Sequence, residues 1–229
     1  DKLLEQFGRQ ILVPGVDEEG QLQLSQRKIC IIGIGALGTI ASQYLVRSGI
    51  GSIHLIDPDV IEESNLHRQI NYTLDDLGKY KSEVSKNILK NINDVTSLKS
   101  YSISFEEYLK TNSIDTFDLV LDCTDSHQNK IFSSKYCKKK FIPFVSISIN
   151  SSDGIYFSQN YKYNKKISSC FECLFPEKEN FLLEKNCSDN GVLGPLVGIV
   201  GALMASEAIK FVTKTGLPLI NELIIYEAL

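Results

Sequence analysis

The chain alternates short runs of apolar residues with longer amphipathic stretches. The apolar runs predict strands at 28–33, 52–57, 97–103, 118–122 and 142–147, and apolar positions at helical spacing predict helices at 36–48, 79–91, 105–112 and 126–139. Strands that are apolar throughout are typical of parallel sheets covered on both faces. The alternation therefore predicts an α/β fold with a doubly wound, mostly parallel sheet.

The two ends of the chain depart from this alternation. Residues 1–27 predict a helical lead-in, broken by a loop around Pro14 and Gly15. The last third predicts an antiparallel strand at 155–160, an irregular polar stretch at 164–191, a helix rich in small residues at 194–213 and a last strand at 219–226. We therefore expect antiparallel strands at the C-terminal side of the sheet.

Composition excludes several classes of protein. The chain has 229 residues, 43% of them hydrophobic and 23% charged, and its net charge is −4, so we expect a globular protein that does not bind nucleic acid. The longest apolar run, 192–205, is interrupted by glycines and a proline and is shorter than the roughly 18 residues of a membrane span. The six cysteines suit a reducing compartment better than a disulfide framework, which predicts a cytoplasmic protein without membrane contact.

A glycine pattern follows the first predicted strand. Gly33, Gly35 and Gly38 form G-x-G-x-x-G between a strand and a helix, and Asp57 ends the second strand 19 residues after Gly38. Such glycines permit a tight turn, the approach of a phosphate and close helix packing, and the acid can bind a ribose. The pattern predicts a Rossmann-like nucleotide site, and it leaves open NAD, FAD and ATP as ligands.

Further candidates follow the carboxyl ends of other strands, where ligands of such sheets bind. Asp59 lies two residues after Asp57 and is a candidate nucleotide contact. Asp125 can bind Mg²⁺ beside a phosphate, or it can cap the helix that follows. Arg68 and Lys81 can neutralise a polyphosphate, or they can be ordinary surface charges.

Three cysteines lie in the polar stretch near the C-terminal third. Cys170 and Cys173 form C-x-x-C, a spacing that supplies half of a tetrahedral zinc site, and a redox pair is the less favoured interpretation. Cys187 lies in a polar loop, where it is a candidate nucleophile or a residue without a role in the chemistry.

Seven motifs follow one another along the chain: Phe7–Leu12, the turn at Gly33, Ser64–Gln69, Gly78–Glu83, Asp122–Asp125, Cys170–Cys173 and Gly191–Pro195. This ordered set resembles the ThiF/MoeB/HesA family, the bacterial relatives of ubiquitin-activating enzymes. The resemblance covers nearly the whole chain. It implies an adenylyltransferase that uses ATP and Mg²⁺ to adenylate the C-terminal glycine of a ubiquitin-like sulfur-carrier protein ending in Gly-Gly.

The resemblance also implies roles for individual residues. Gly33, Gly35 and Gly38 would form the nucleotide turn, Asp57 would bind the ribose, Asn65, Arg68 and Lys81 would hold the phosphates, and Asp125 would bind Mg²⁺. Arg9 would reach across a homodimer into the partner's site. Cys170 and Cys173 would be zinc ligands, and Cys187 would lie on a crossover loop above the carrier tail.

By the same resemblance the chain is expected to form one domain over residues 1–229. Residues 1–27 would be the lead-in, 28–148 the nucleotide-binding half, and 149–229 the carrier-binding half with a crossover loop at 174–192.

The sequence departs from the family pattern at two places. Ser126 and Lys130 stand where the family usually has Asn and Arg, and Lys130 keeps the charge without the bidentate fork. A second C-x-x-C is absent, so zinc is expected in the full-length protein only.

Within the family, the stretch around Cys173–Glu177 favours ThiF of the thiamin pathway, acting on a ThiS-like carrier. A MoeB-type enzyme acting on the small molybdopterin-synthase subunit is the alternative. Two readings outside this class stay open: an NAD-dependent dehydrogenase and an inactive carrier-binding scaffold.

Overall fold

A computed structural model describes residues 2–112, 116–150, 153–160, 162–163, 166–176, 191–217 and 219–229. The strands are β1 (Lys28–Ile32), β2 (Ser52–Ile56), β3 (Ser97–Tyr101), β4 (Leu119–Asp122), β5 (Phe144–Asn150), β6 (Asp153–Gln159), β7 (Lys162–Tyr163), β8 (Lys166–Ile167) and β9 (Ile224–Glu227). The helices are α1 (Lys2–Ile11), α2 (Asp17–Ser25), α3 (Ala36–Arg47), α4 (Lys81–Lys90), α5 (Phe105–Thr111), α6 (His127–Lys140), α7 (Phe171–Leu174) and α8 (Gly194–Thr213). Two short 3₁₀ helices span Glu63–Asn65 and Leu74–Asp76.

Seven of these strands form one mixed sheet in the order β3-β2-β1-β4-β5-β6-β9. The first five are parallel, with Ile31 of β1 opposite Leu55 of β2 and Leu121 of β4. The last two pairings, β5 with β6 and β6 with β9, are antiparallel. The predicted fold class is therefore confirmed. Because the strand order reverses direction between β1 and β4, the carboxyl ends of these two strands border the crevice where such sheets bind ligands.

Helices cover both faces of the sheet, as a doubly wound fold requires. One apolar core lies under α2, α3, α4 and α8, and includes Leu45, Leu89 and Met204. A second, more aromatic core lies under α5, α6 and α7, and includes Tyr108, Phe144 and Phe171. This double coverage explains why the central strands are apolar throughout rather than alternating.

Helix α8 packs closely on α3 through small residues. A Cβ at Gly201 would lie 2.8 Å from the Cβ of Ile40, so only glycine permits this helix separation. By length and composition α8 is apolar enough to cross a membrane, with a mean hydropathy of 1.6, although 56% of that window is buried inside the protein as in a core helix. The predicted helix at 194–213 is therefore confirmed. Its proline lies in the first turn, where the missing N–H costs nothing, and its glycines are tolerated.

The predicted last strand, 219–226, is wrong at its beginning, since β9 starts only at Ile224. Leu219 is a core residue whose carbonyl accepts a hydrogen bond from Ser158 Oγ. Asn221 has a φ of 58°, in the left-handed region, and this turn prevents the chain from continuing as a strand. Leu219 thus serves the core through its side chain and not through a strand ladder.

Candidate functional site

The loop between β1 and α3 is shaped by its glycines in different ways. Gly33 has a φ of 85°, and a Cβ there would lie 3.0 Å from the backbone of Cys123. A Cβ at Gly38 would lie 2.0 Å from the carbonyl oxygen of Gly33. At Gly35 the nearest atom would be Gln69 Nε2, at an ordinary 3.5 Å. The fold therefore requires the first and third glycines, whereas the second keeps a surface free that a phosphate can approach.

Asp57 is buried at the end of β2 and holds the glycine loop in place. Its Oδ2 accepts the N–H of Ile34 at 2.5 Å, and its Oδ1 accepts the N–H of Asp59 at 2.8 Å. Burial raises the pKa of this carboxyl, and the two backbone hydrogen bonds and the nearby Lys81 only partly offset that effect. Since a carboxylate has about four acceptor positions, Asp57 keeps positions for ribose hydroxyls.

Lys81 begins α4 and points back to the loop after β2. Its Nζ lies 2.9 Å from Asp59 Oδ2, and its side chain is 8% exposed whereas that of Asp59 is 63% exposed. The N–H of Lys81 also donates to the carbonyl of Asp59, at 3.0 Å. Asp59, a predicted nucleotide contact, thus binds the predicted phosphate-binding lysine directly. The segment before α4 also pairs with the loop after β2, since Tyr80 forms a β-bridge with Val60. This pairing explains why α4 starts at Lys81 and not at the predicted residue 79.

The segment 64–69 places Asn65 and Arg68 on the same cavity. Asn65 is buried, and its Oδ1 accepts the N–H of Glu62 at 3.2 Å. Arg68 Nη1 donates to the carbonyl of Ser64 at 2.9 Å. A Cβ at Gly194 would lie 2.9 Å from the carbonyl oxygen of His67, so this glycine lets the start of α8 close against the segment.

The loop after β4 carries Asp125, which is exposed on the cavity wall. The residue that caps α6 is Ser126, whose Oγ accepts the N–H of Asn129 at 3.3 Å. The alternative in which Asp125 serves as that cap is therefore wrong. Asp125 does not perform this task and lines the cavity, where a carboxylate can hold a cation beside a phosphate.

Lys130 is almost fully buried, which the sequence did not reveal. Its Nζ donates to the carbonyl of Ile147 at 2.7 Å and to Ser146 Oγ at 3.3 Å, and it lies 3.7 Å from Asp122 Oδ1. This ammonium ties the ends of β4 and β5 together. Because it compensates the buried Asp122, its charge is only partly available to a ligand.

These elements enclose a cavity of about 1000 Å³ at the carboxyl edge of the sheet. The predicted site residues that line it are Gly33, Gly35, Asp57, Asp59, Asn65, Arg68, Lys81 and Asp125. Gly38 lies beneath the turn, in contact with Gly33. Sequence reasoning missed Gln69 and Phe132 as lining residues, and only the position of Gln69 directly after Arg68 gave a signal for it.

Three other predicted residues do not line this cavity. Arg9 is exposed on α1, which Phe7 anchors against Gly49 and Gln10 anchors to Gln21 and the Ser48 carbonyl. Cys170 precedes α7 and Cys173 lies within it, and Cys170 contacts Lys138 in the last turn of α6. Cys187 and most of the predicted crossover loop lie outside the described residues.

The cysteine pair has two thiols 3.2 Å apart, Cys170 buried and Cys173 exposed. Burial raises the pKa of the Cys170 thiol, but hydrogen bonds from Cys173 and Lys138 outweigh it and hold the pKa below its ordinary value. In the part of the chain that the structure describes, no group of three or more His, Cys, Asp or Glu residues could hold a metal. The pair could provide at most two of the four ligands of a structural zinc site.

Magnesium makes smaller demands on the protein. In nucleotide enzymes it binds one or two carboxylates, and substrate phosphates and water complete its shell. Asp125 on the same wall as Arg68 and Lys81 fits that requirement. The cavity therefore suits a polyphosphate with a single divalent cation.

Comparison with known sequences gives one family. The model of the ThiF family matches residues 7–229. The sulfur carrier protein adenylyltransferase of Thermus thermophilus is 31% identical over 227 residues, which cover 99% of this chain and 84% of that protein. The adenylyltransferase and sulfurtransferase MOCS3 of Drosophila sechellia is 34% identical over 224 residues, which cover 98% of this chain and 49% of that protein. The chain thus spans about half the length of the MOCS3 relative.

Comparison with solved structures also finds similar proteins. The crystal structure of E. coli MccB with ATP superposes with a TM-score of 0.77 at 29% identity, covering 91% of this chain and 62% of that one. The crystal structure of PaaA superposes with a TM-score of 0.80 over 99% of this chain and 80% of that one, and at 21% identity it supports the fold alone.

Proposed function

The chain belongs to the ThiF family, and we propose that it adenylates the C-terminal glycine of a ubiquitin-like sulfur-carrier protein at the expense of ATP. The enzyme class is an adenylyltransferase, as the sequence predicted. One observation supports the proposal: the candidate contacts for phosphate, ribose and a cation line one cavity, namely Gly35, Asp57, Arg68, Lys81 and Asp125.

The reaction joins two anions, and the site supplies what that requires. An oxygen of the carrier's terminal carboxylate forms a bond to the α-phosphorus of ATP, and the bond from that phosphorus to the bridging oxygen of pyrophosphate breaks. No general base is needed because an α-carboxyl group is ionised at pH 7. Catalysis then depends on positioning and on positive charge, which Arg68 and Lys81 provide at the cavity wall.

Two further groups belong to the proposal. Mg²⁺ would neutralise phosphate charge, and Asp125 is the residue that would hold it. Arg9 would complete the site of a second copy in a homodimer, an assignment supported by its exposed position away from its own cavity.

The C-terminal part of the chain would receive the carrier. We assign nucleotide binding to residues 28–148 and carrier binding to 149–229 within one domain, with Cys187 on the crossover loop 174–192. Cys170 and Cys173 would hold zinc in a longer form of the protein that supplies two more ligands. Cys30, Cys123 and Cys137 are buried and not disulfide-bonded, which supports the proposed cytoplasmic location.

The finer substrate proposal is a ThiS-like carrier of thiamin biosynthesis, with the small molybdopterin-synthase subunit as the alternative. The Thermus relative supports sulfur carriers as the substrate class and does not choose between the two. A dehydrogenase reading loses support, because the family and the ATP-bound structural neighbour both indicate adenylyl transfer.

Exchange of radiolabelled pyrophosphate into ATP tests the function directly. We expect exchange that depends on a ThiS-like carrier ending in Gly-Gly, and none with the same carrier lacking its last glycine. Exchange with the molybdopterin-synthase subunit alone would favour the alternative. Binding of ATP without exchange with either carrier would indicate a scaffold, and binding of NAD in place of ATP would indicate a dehydrogenase.

A further inference from the structure

Tyr72 lies between the two 3₁₀ helices and is 5% exposed. Its ring packs with Ile61 and Val84 in a small apolar cluster separate from the two main cores. Packing alone would be satisfied by phenylalanine. The hydroxyl group lies buried behind the glycine loop. It must be hydrogen-bonded there, because a buried polar group without a partner costs free energy.

The hydroxyl of Tyr72 makes its shortest contact with the glycine loop, at 2.6 Å from the carbonyl oxygen of Ile34. Ser85 Oγ lies 3.0 Å from the same hydroxyl, and the carbonyl oxygen of Lys81 lies at 3.3 Å. A phenol has one proton, so Tyr72 donates to Ile34, the nearer carbonyl, and its oxygen can accept the proton of Ser85. Burial raises the pKa of the Tyr72 phenol, which keeps it a donor.

Both partners of Tyr72 belong to elements that line the cavity, through Gly33 and Gly35 in one case and Lys81 in the other. Ile34 stands between Gly33 and Gly35, and its N–H is held by Asp57 while its carbonyl is held by Tyr72. Ser85 is one helical turn after Lys81, on the same side of α4. One hydroxyl thus connects the glycine loop to the helix that carries the phosphate-binding lysine.

We propose that Tyr72 is a positioning residue for the phosphates of ATP. Its hydroxyl fixes the peptide group between Ile34 and Gly35 and sets the distance of that peptide group from Lys81. The proposal rests on the proposed use of ATP. Tyr72 does not line the cavity, so its hydroxyl acts through Ile34 and α4 and not on the nucleotide directly.

Tyr72→Phe removes the hydroxyl and keeps the ring. We expect ATP–Mg²⁺ to bind about three- to tenfold more weakly, the value of one buried hydrogen bond, with adenosine affinity unchanged. Equilibrium dialysis with radiolabelled ATP and adenosine measures both. Ser85→Ala cuts the same connection from the α4 side, and we expect it too to weaken ATP and not adenosine.

Tyr108→Phe is the matched control. It also removes a buried hydroxyl, which bonds His54 Nδ1 at 3.0 Å inside the second core, and we expect it to leave both affinities unchanged. Equal ATP affinity in wild type and Tyr72→Phe would overturn the positioning role alone. Equal losses for ATP and adenosine would also overturn it, because they indicate general loosening of the fold. A wild-type protein that binds no ATP would contradict the proposed function, and this role with it.

Discussion

At the scale of single residues, Asp57 combines a structural and a binding task. Both of its oxygens already accept backbone N–H groups before a nucleotide binds. Replacement by alanine would therefore release the glycine loop and confuse the two tasks. Asparagine keeps the side-chain shape and one acceptor oxygen, and it removes the charge. Its NH₂ group cannot accept the second backbone N–H, but it disturbs the loop less than alanine does, so it is the more informative substitution.

We expect Asp57→Asn to weaken ATP binding by about 2 kcal/mol, because a charge-assisted hydrogen bond to the ribose becomes a neutral one. Isothermal titration with ATP–Mg²⁺ measures the change. Asp118→Asn is the control: Asp118 accepts the N–H of Lys28 at 2.8 Å at the opposite end of the sheet. Unchanged affinity in Asp57→Asn would contradict the ribose assignment.

The raised pKa of Asp57 predicts a pH dependence with a definite sign. Ribose hydroxyls donate to the ionised carboxylate, so ATP affinity should fall as the pH is lowered through a midpoint above the ordinary value of 3.8. The free energy of unfolding should change in the opposite direction. A pKa raised on folding lowers stability at pH values above that pKa, so this contribution to stability recovers as the pH falls. Titrations of wild type and Asp57→Asn between neutral and acid pH test this, and parallel curves would refute it.

At the scale of elements, the strand–turn–helix unit separates two uses of glycine. Gly38→Ala would force a methyl group against the carbonyl of Gly33, so we expect it to cost about 3 kcal/mol of unfolding free energy. Gly35→Ala meets no such contact and should change that free energy by less than about 1 kcal/mol. It should nevertheless weaken ATP about tenfold by displacing a phosphate hydrogen bond.

Chemical denaturation and ATP titration on the two variants give the comparison. A Gly35→Ala protein that binds ATP as wild type does would show that the second glycine is not a phosphate surface.

The same scale shows what a sequence can predict. The buried strands and amphipathic helices could be predicted because a local pattern indicates each of them: a run of apolar residues for a strand, and apolar residues at helical spacing for a helix. The start of β9 was missed because the left-handed residue Asn221 looks like any other polar residue in sequence. The pairing of Lys81 with Asp59 was missed because it spans 22 residues and exists only once α4 folds back on β2.

The role of Lys130 in the site was likewise not visible in the sequence. The sequence showed only a lysine where the family usually has arginine, and its burial against Ile147 and Asp122 shows that it connects β4 and β5. Roles of this kind depend on neighbours from several elements, which no local pattern records.

At the scale of the whole molecule, the chain's own cavity has no contribution from Arg9. If a second copy supplies it, mixing inactive Arg9→Ala with inactive Asp125→Ala protein should restore activity. Random mixing of equal amounts makes half of the dimers mixed, each with one intact site, so about a quarter of wild-type exchange is expected. Sedimentation establishes that subunits exchange, and exchange without recovered activity would exclude a borrowed arginine.

The ion pair between Lys81 and Asp59 changes how the protein responds to ionic strength. Lys81 already has an anionic neighbour 2.9 Å away, so a phosphate replaces a carboxylate there instead of meeting an unpaired cation. Salt weakens interactions between charges that water and ions can reach, and this exchange leaves the number of such charges nearly constant. Nucleotide affinity should therefore decline with salt less steeply than the number of cations in the cavity implies. Once a phosphate binds Lys81, the exposed Asp59 is left as the charge that salt screens.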